Sequence, residues 1–128
     1  MEKAKFDKLM EKFNEMSFHD GRIIKVKKTD ESLKITFTDG WMDELTNELE
    51  FIEYRANNKY DLKDRIIYQL MNMDQQEYSA TKDIFLFEML VWYEDNLCEV
   101  VKVEAMNVIA RQYEDGKLIS EIDFVKGI

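Results

Sequence analysis

The stretch VIARQYEDGKLISEIDF, residues 108–124, consists of two strand-like runs joined by a tight turn. The two runs, residues 108–113 and residues 117–124, mix apolar and polar residues and lie on either side of Asp115-Gly116. An Asp-Gly pair between alternating runs is a strong local signal for a β-hairpin, because the turn needs residues that tolerate positive φ. The stretch therefore predicts two neighbouring antiparallel strands.

A clearer alternation of apolar and polar residues lies upstream, within residues 22–38. Ile24 and Val26 alternate with lysines, and after a short polar connection Leu33, Ile35 and Phe37 alternate with lysine and threonine. This pattern predicts a second antiparallel hairpin with one solvated face. The remaining runs that resemble strands are residues 48–54, 84–93 and 97–105. The second of these is apolar on both faces except at Glu88, so we expect it near the middle of the sheet.

The N-terminus carries a helical pattern instead. Phe6, Leu9, Met10, Phe13 and Met16 recur at helical spacing, with charged residues between them. This spacing predicts an amphipathic helix with one apolar stripe. We interpret it as a helix that covers the protein's own sheet, and the alternative is a helix that docks on a partner.

Residues 62–73 fit two descriptions. Leu62, Ile66, Leu70 and Met73 share one helical face, and Asp61 is available as an N-cap. Residues 66–73 are also rich in strand formers. The periodicity favours the helix.

The whole pattern predicts one domain spanning residues 1–128, of class α+β. The chain has 128 residues and no proline, and it lacks a regular β-α-β alternation. We expect a single antiparallel sheet of about six or seven strands, with the N-terminal amphipathic helix packed on one face.

Charge and composition bear on the class of partner. The chain has 27 acidic and 18 basic residues, for a formal charge of −9. Such a balance disfavours nucleic-acid binding, although it is compatible with a local basic patch, and it steers basic proteins toward the chain. Cys98 is the only cysteine and is expected to be buried. With no signal-peptide pattern and no apolar run long enough to span a bilayer, we predict a cytoplasmic protein without a membrane partner.

One pair of residues has the composition of a catalytic site. His19, the only histidine, precedes Asp20, and a carboxylate beside an imidazole can support general-base chemistry. Neighbours on an extended segment point in opposite directions, so we interpret the pair as the structural corner between helix and strand. No metal site and no cofactor are expected, because zinc needs several His or Cys ligands and no phosphate-binding loop is present. The chain is therefore predicted, on balance, not to be an enzyme.

Other residues are candidates for binding a partner. Asp43-Glu44 and Glu94-Asp95 are assigned to turns, and Glu48 and Glu50 to the wet face of a strand. Clustered carboxylates would suit a basic protein surface. Trp41 and Met42 would supply an apolar anchor, since tryptophan is enriched at interface hot spots, although a core position for Trp41 is the commoner outcome.

The segment SFHDGRI, residues 17–23, resembles a pattern in small bacterial proteins, with an aromatic or Leu, then His-Asp, a small residue and an Ile-containing strand. A later Leu-x-Phe strand, here at residues 49–51, belongs to the same resemblance. Some of these proteins resemble immunity proteins of polymorphic toxin systems. Where those proteins carry Ser or Ala, this chain has Gly21.

Three functions follow as hypotheses. The first is a non-enzymatic protein-binding domain, immunity-like in the sense implied by the resemblance, that neutralises a basic partner by covering its surface. The second is a small hydrolase-type enzyme that uses His19 with nearby carboxylates. The third is a homo-oligomeric module that associates through an exposed strand edge.

Overall fold

The computed structural model describes residues 3–16, 21–39, 42–57, 66–74, 84–92 and 98–128. Within these ranges the sheet has seven strands in the order β3-β2-β1-β4-β5-β6-β7, and neighbouring strands are antiparallel. The α+β class, with an antiparallel sheet and an N-terminal helix, is thereby confirmed. The elements are α1 (Lys3–Glu15), β1 (Gly21–Lys28), β2 (Ser32–Asp39), β3 (Met42–Ala56), β4 (Ile66–Asp74), β5 (Phe85–Trp92), β6 (Cys98–Glu114) and β7 (Lys117–Asp123).

The sheet is strongly curled. Besides its pairing with β2, β3 pairs with β6 from Leu45 opposite Glu114 to Ala56 opposite Val103. This contact links β3-β2-β1-β4-β5-β6 into a ring, and β7 extends β6. The junction between β1 and β4 is short, because it consists of Gly21 opposite Ile67 and Arg22 opposite Ile66. The sheet thus has an inner face around the core and a convex outer face.

The core is a cluster of aromatic rings on the inner face. The ring centroid of Phe87 lies 5.1 Å from that of Phe13, 5.4 Å from that of Phe51 and 6.3 Å from that of Phe124. Phe6 stacks on Phe85 with the ring centroids 6.2 Å apart. The apolar residues of α1 are therefore buried against β5 and Phe124. Those that become buried are Phe6, Leu9, Phe13 and Met16, as their helical spacing predicts.

Both predicted hairpins are present. β1 pairs with β2, and β6 pairs with β7 through a turn in which Asp115 has φ 50° and Gly116 has φ 81°. Gly21 at the start of β1 is required for a different reason. A Cβ at this position would lie 2.6 Å from the carbonyl oxygen of Thr38 and 2.8 Å from the Phe37 ring. The strands could not keep this approach with Ser or Ala at position 21.

The helical prediction for residues 62–73 is wrong where the structure describes them. Ile66–Asp74 forms β4, which pairs with β5. Its register shifts between Ile67 and Gln69 and again between Leu70 and Asn72. Irregularities of this kind insert an extra residue into a strand and interrupt its two-residue alternation, which makes the strand harder to recognise from its sequence pattern. Residues 62–65 lie outside the described residues.

Three smaller predictions also need correction. β3 begins at Met42, so Asp43 and Glu44 belong to a strand and not to a turn. The predicted runs at residues 97–105 and 108–113 form one strand, β6, because β3 pairs along nearly all of it. Cys98 is exposed, since it is the first residue of β6 and lies at the strand's end. Glu94-Asp95 lies outside the described residues.

The free edge of β7 is protected. Within the described ranges β7 pairs only with β6, which leaves a row of backbone groups on its other side. Lys12 Nζ donates to the carbonyl oxygen of Glu121 at 3.1 Å, and the Asp123 N–H donates to the carbonyl oxygen of Ile128 at 2.6 Å. The β6–β7 register also shifts between Gln112 and Tyr113. Such features discourage strand addition, which argues against self-association through β7.

The only helix in the described ranges, α1, has neither the length nor the apolar composition to cross a membrane.

Candidate functional site

Three carboxylates converge on one guanidinium at the outer face of the sheet. Arg111 Nη1 donates to Glu48 Oε1 at 2.8 Å and to Glu50 Oε1 at 3.0 Å, and Arg111 Nε donates to Glu121 Oε2 at 2.8 Å. We call these four residues the Arg111 cluster. It joins β3, β6 and β7, since each strand contributes at least one member.

The strand pattern explains why these side chains meet. On β3, Glu48 and Glu50 alternate with Leu49 and Phe51, which are fully buried on the inner face. Successive side chains of a strand point to opposite faces, so both glutamates lie on the outer face. The register then places Glu48 directly opposite Arg111, and Arg111 directly opposite Glu121.

The cluster is partly shielded from solvent and carries a net negative charge. The side chains of Arg111, Glu48 and Glu50 are 19%, 14% and 19% exposed, and that of Glu121 is 45% exposed. Burial lowers the pKa of Arg111, but hydrogen bonds to Glu121, Glu48 and Glu50 outweigh it and raise the pKa above its ordinary value. The guanidinium is therefore permanently charged. One positive and three negative charges leave two negative charges uncompensated.

Each carboxylate of the cluster keeps one oxygen that Arg111 does not occupy. The guanidinium binds one oxygen of each of Glu48, Glu50 and Glu121. Within the described part of the chain, their other oxygens have no hydrogen-bond partner. A carboxylate has room for about four hydrogen bonds. The cluster therefore presents acceptor positions whose geometry Arg111 holds in place.

Tyr113 lies next to the cluster on β6. Burial raises the pKa of its phenol above the ordinary value, and the negative charge of Glu48 adds to the increase, while Arg111 opposes it. The pKa of Tyr113 is higher in the folded chain than in the unfolded chain, so its neutral phenol stabilises the fold. This stabilisation is complete below pH ~10 and is lost as the pH rises through the folded pKa.

We expect the Tyr113 phenol to titrate above pH ~10, the ordinary value for tyrosine. Replacing Glu48 with glutamine should lower that midpoint, because it removes a negative charge that disfavours the phenolate. The measurement is a pH titration of the tyrosine Cζ resonances by carbon-13 NMR, with Tyr113→Phe to assign the signal. A midpoint at or below that of free tyrosine would contradict the proposed environment.

The structure brings together only some of the residues predicted to bind a partner. Glu48 and Glu50 are in the cluster. Glu44 is exposed further along β3, where its carbonyl oxygen accepts a hydrogen bond from the Asp115 N–H at 3.0 Å. Met42 and Asp43 belong to β3, and their side chains lie outside the description. Trp41 and the predicted corner residues, His19 and Asp20, lie outside the described residues, so their roles remain predictions.

Arg111, Glu121 and Tyr113 are the site residues that sequence reasoning missed. Alternation in residues 108–113 does place Arg111 and Tyr113 on one face of their strand. Nothing local links that face to Glu48, which is 63 residues away along the chain. The missing information is the pairing of β3 with β6.

A buried amide pair supports the inner side of this region. Gln112 Nε2 donates to Asn47 Oδ1 at 3.0 Å and to the carbonyl oxygen of Met16 at 2.9 Å. The end of α1 is thus tied to both β3 and β6. Asn47 is fully buried, and its Nδ2 has no hydrogen-bond partner among the residues that the structure describes. This arrangement fixes the strand pair that carries the Arg111 cluster on its other face.

A concave feature lies where β3 is irregular. Glu53 has φ 51°, a left-handed conformation that is unusual for glutamate, and its N–H donates to the carbonyl oxygen of Glu31 at 2.7 Å. An open cleft of about 290 Å³ begins here. It is lined by Glu53, Tyr54, Arg55, Ile84, Glu104, Ala105 and Met106. Both acidic and basic residues line the cleft, so its charge does not indicate one class of ligand.

Metal binding finds no support in the part of the chain that is described, because no three Asp, Glu, Cys or His residues there are placed to hold an ion. Comparison with protein-family models, with curated protein sequences and with solved structures found no match to this chain. The argument for function therefore rests on the site itself.

Proposed function

We propose that this chain is a non-enzymatic protein-binding domain that covers a basic surface of its partner with the Arg111 cluster. The observation that carries the proposal is the convergence of Glu48, Glu50 and Glu121 on one guanidinium, with one oxygen of each carboxylate unoccupied by any described residue. Lysine and arginine side chains of a partner would donate to these oxygens. Hydrogen bonds between charged groups are about twice as strong as neutral ones.

The rigidity of the cluster favours binding. A free glutamate side chain loses rotamer freedom when a partner immobilises it, at a cost of ~0.5–1.5 kcal/mol. Arg111 already holds the three carboxylates, so part of this loss has occurred during folding. The net charge of −9 adds long-range attraction, which accelerates encounter with a basic partner.

The rest of the chain has supporting roles in this proposal. We assign to α1 the task of covering the inner face of the curled sheet, which leaves the outer face to the partner. Trp41 and Met42 would supply the apolar anchor beside Asp43 and Glu44. An immunity-like role, in which the partner is a toxin, is the biological form that the SFHDGRI resemblance suggests. Cytoplasmic location remains a prediction from the sequence.

The decisive variant is Glu48→Gln combined with Glu50→Gln. Glutamine keeps an acceptor for Arg111 but removes two negative charges, and Arg111 stays paired with Glu121. We expect basic proteins captured from the native cell by the wild-type chain to bind this variant about tenfold more weakly or worse, since close charge pairs across interfaces are worth several kcal/mol in favourable cases. Capture at low and moderate salt, followed by affinity measurement on the purified partner, gives the result.

A matched control is Glu11→Gln combined with Glu15→Gln on α1. Both side chains are exposed and the change in net charge is the same. The control should lose affinity only slightly, because charges far from a contact are screened over ~8 Å at physiological salt. If the two double variants bind alike, or if the wild type recovers only acidic or neutral partners without dependence on salt, the proposal is wrong.

A further inference from the structure

The edge of β1 that faces away from β2 is open along most of its length. β1 contacts β4 only through Gly21 and Arg22, so residues 23–28 have no strand on that side among the described residues. The Thr29 N–H donates to the carbonyl oxygen of Ser32 at 2.8 Å, which sets the alternation of the hairpin. By that alternation the N–H and C=O groups of Val26 and Lys28 point away from β2.

Positively charged side chains are concentrated on β1 and at one facing position of β2. Arg22, Lys25, Lys27 and Lys28 are exposed on β1, and Lys34 lies directly opposite Lys27 on β2. We call these five residues the basic edge. None of them forms an ion pair with a carboxylate in the described ranges. Two like charges directly opposite each other in a sheet are destabilising, so folding alone does not account for Lys27 facing Lys34.

The charge decides what can occupy the edge. Lysines on an exposed edge protect a sheet from aggregation, because a second copy would align its lysines with these. The same lysines attract an acidic strand, so a basic edge rejects its own copy and admits a negatively charged segment. Ile24, which is 43% exposed, adds an apolar contact on the same strand.

A nucleic acid fits this edge poorly. Single-stranded nucleic acids bind where aromatic side chains stack with bases, and β1 has no aromatic residue. An acidic polypeptide can instead use its own backbone N–H and C=O groups, which the groups of Val26 and Lys28 complement.

We propose that β1 binds an extended acidic segment of a partner protein by strand addition, with acidic side chains of the segment placed against Lys25 and Lys27. Backbone hydrogen bonds to the open edge supply affinity, and the lysines supply selectivity, as in other cases of strand addition. This site is separate from the Arg111 cluster and does not depend on it.

The test uses the full chain and a short peptide in which glutamate alternates with valine. We expect binding that weakens as salt rises, and slower hydrogen exchange at the amides of Val26 and Lys28 when the peptide is bound. Lys25→Glu combined with Lys27→Glu should weaken binding about tenfold or more, as expected when close charge complementarity is reversed. Lys25→Gln with Lys27→Gln gives an intermediate loss and covers the case in which the glutamate variant fails to fold.

The control variant is Lys8→Glu combined with Lys117→Glu, two exposed lysines elsewhere on the chain. It makes the same change in net charge and should retain affinity within about threefold, because distant charges are screened. Three further probes test the mode of binding: the same peptide N-methylated at alternate residues, its lysine counterpart, and an oligothymidylate of equal charge. Each should bind at least about tenfold more weakly than the acidic peptide. Equal or tighter binding of any of the three, or unchanged exchange at Val26 and Lys28, overturns the proposal.

Discussion

Replacing Phe87 with alanine should lower the free energy of unfolding by about 3–5 kcal/mol, the usual cost of deleting a buried aromatic ring. Phe87 lies on β5, is 2% exposed, and contacts the rings of Phe13, Phe51 and Phe124. One ring therefore joins α1, β3, β5 and the segment after β7. Because small domains are stable by only ~5–15 kcal/mol, this variant should be partly unfolded at moderate temperature.

Urea denaturation followed by circular dichroism measures the effect. Phe87→Leu is the matched control, since it keeps much of the volume and should cost only about 1–2 kcal/mol. Ile119→Ala provides a surface reference, because Ile119 is half exposed and its loss should cost less than about 1 kcal/mol. If Phe87→Ala were no more destabilising than Ile119→Ala, the aromatic cluster would not be the centre of the core.

Replacing Arg111 with methionine should lower the free energy of unfolding by about 2–4 kcal/mol, because it leaves three neighbouring carboxylates without their counter-charge. Methionine retains the aliphatic length, so the loss reports mainly on charge. The expected cost is below that of a fully buried pair, since Glu121 is partly exposed. The deficit should shrink at high salt, because dissolved ions screen the repulsion among the three carboxylates.

Lys102→Met is the matched control for this second variant. Lys102 lies 3.8 Å from Glu88, and its side chain is 53% exposed. An exposed pair of this kind contributes about 0–1 kcal/mol. Adding Glu48→Gln and Glu50→Gln to Arg111→Met should recover much of the lost stability, because the repelling charges are gone. If the loss of stability changes neither with salt concentration nor with these rescue substitutions, Arg111 stabilises the fold through packing instead of charge.

The role proposed for the Arg111 cluster in binding can be separated from its expected role in folding. Its charges are held in place by one arginine whose removal affects stability. The substitutions Glu48→Gln and Glu50→Gln test binding with Arg111 still paired to Glu121. Comparing unfolding and partner affinity in the same variants separates a protein that fails to bind from one that fails to fold.

The outer face has opposite charge at its two sides. β1 and β2 carry the basic edge, and β3, β6 and β7 carry the Arg111 cluster. Lys34 on β2 lies directly opposite Glu50 on β3, at the boundary between the two regions. One partner protein that carries both a basic surface and an acidic segment would contact both regions. Substitutions in one region would then change the affinity measured for the other.

Local sequence determined much of the fold. The hairpin at Asp115-Gly116 follows from two residues that accept positive φ between two strand-like runs, so no distant contact is needed to predict it. The buried positions of α1 follow from helical spacing, because 3.6 residues per turn align Phe6, Leu9 and Phe13 on one side. The outward positions of Glu48 and Glu50 follow in the same way from the alternation of their strand.

The tertiary structure decided which strands meet. Ile66–Asp74 has a spacing that suits a helix in isolation, yet it forms β4, which pairs with β5 through two register shifts. The Arg111 cluster depends on the pairing of β3 with β6, which connects residues 63 positions apart. The alternation of apolar and polar residues predicts which face of a strand each side chain occupies. It does not indicate which other strand lies beside it. That choice depends on how the curled sheet closes around its core, which is a property of the whole chain.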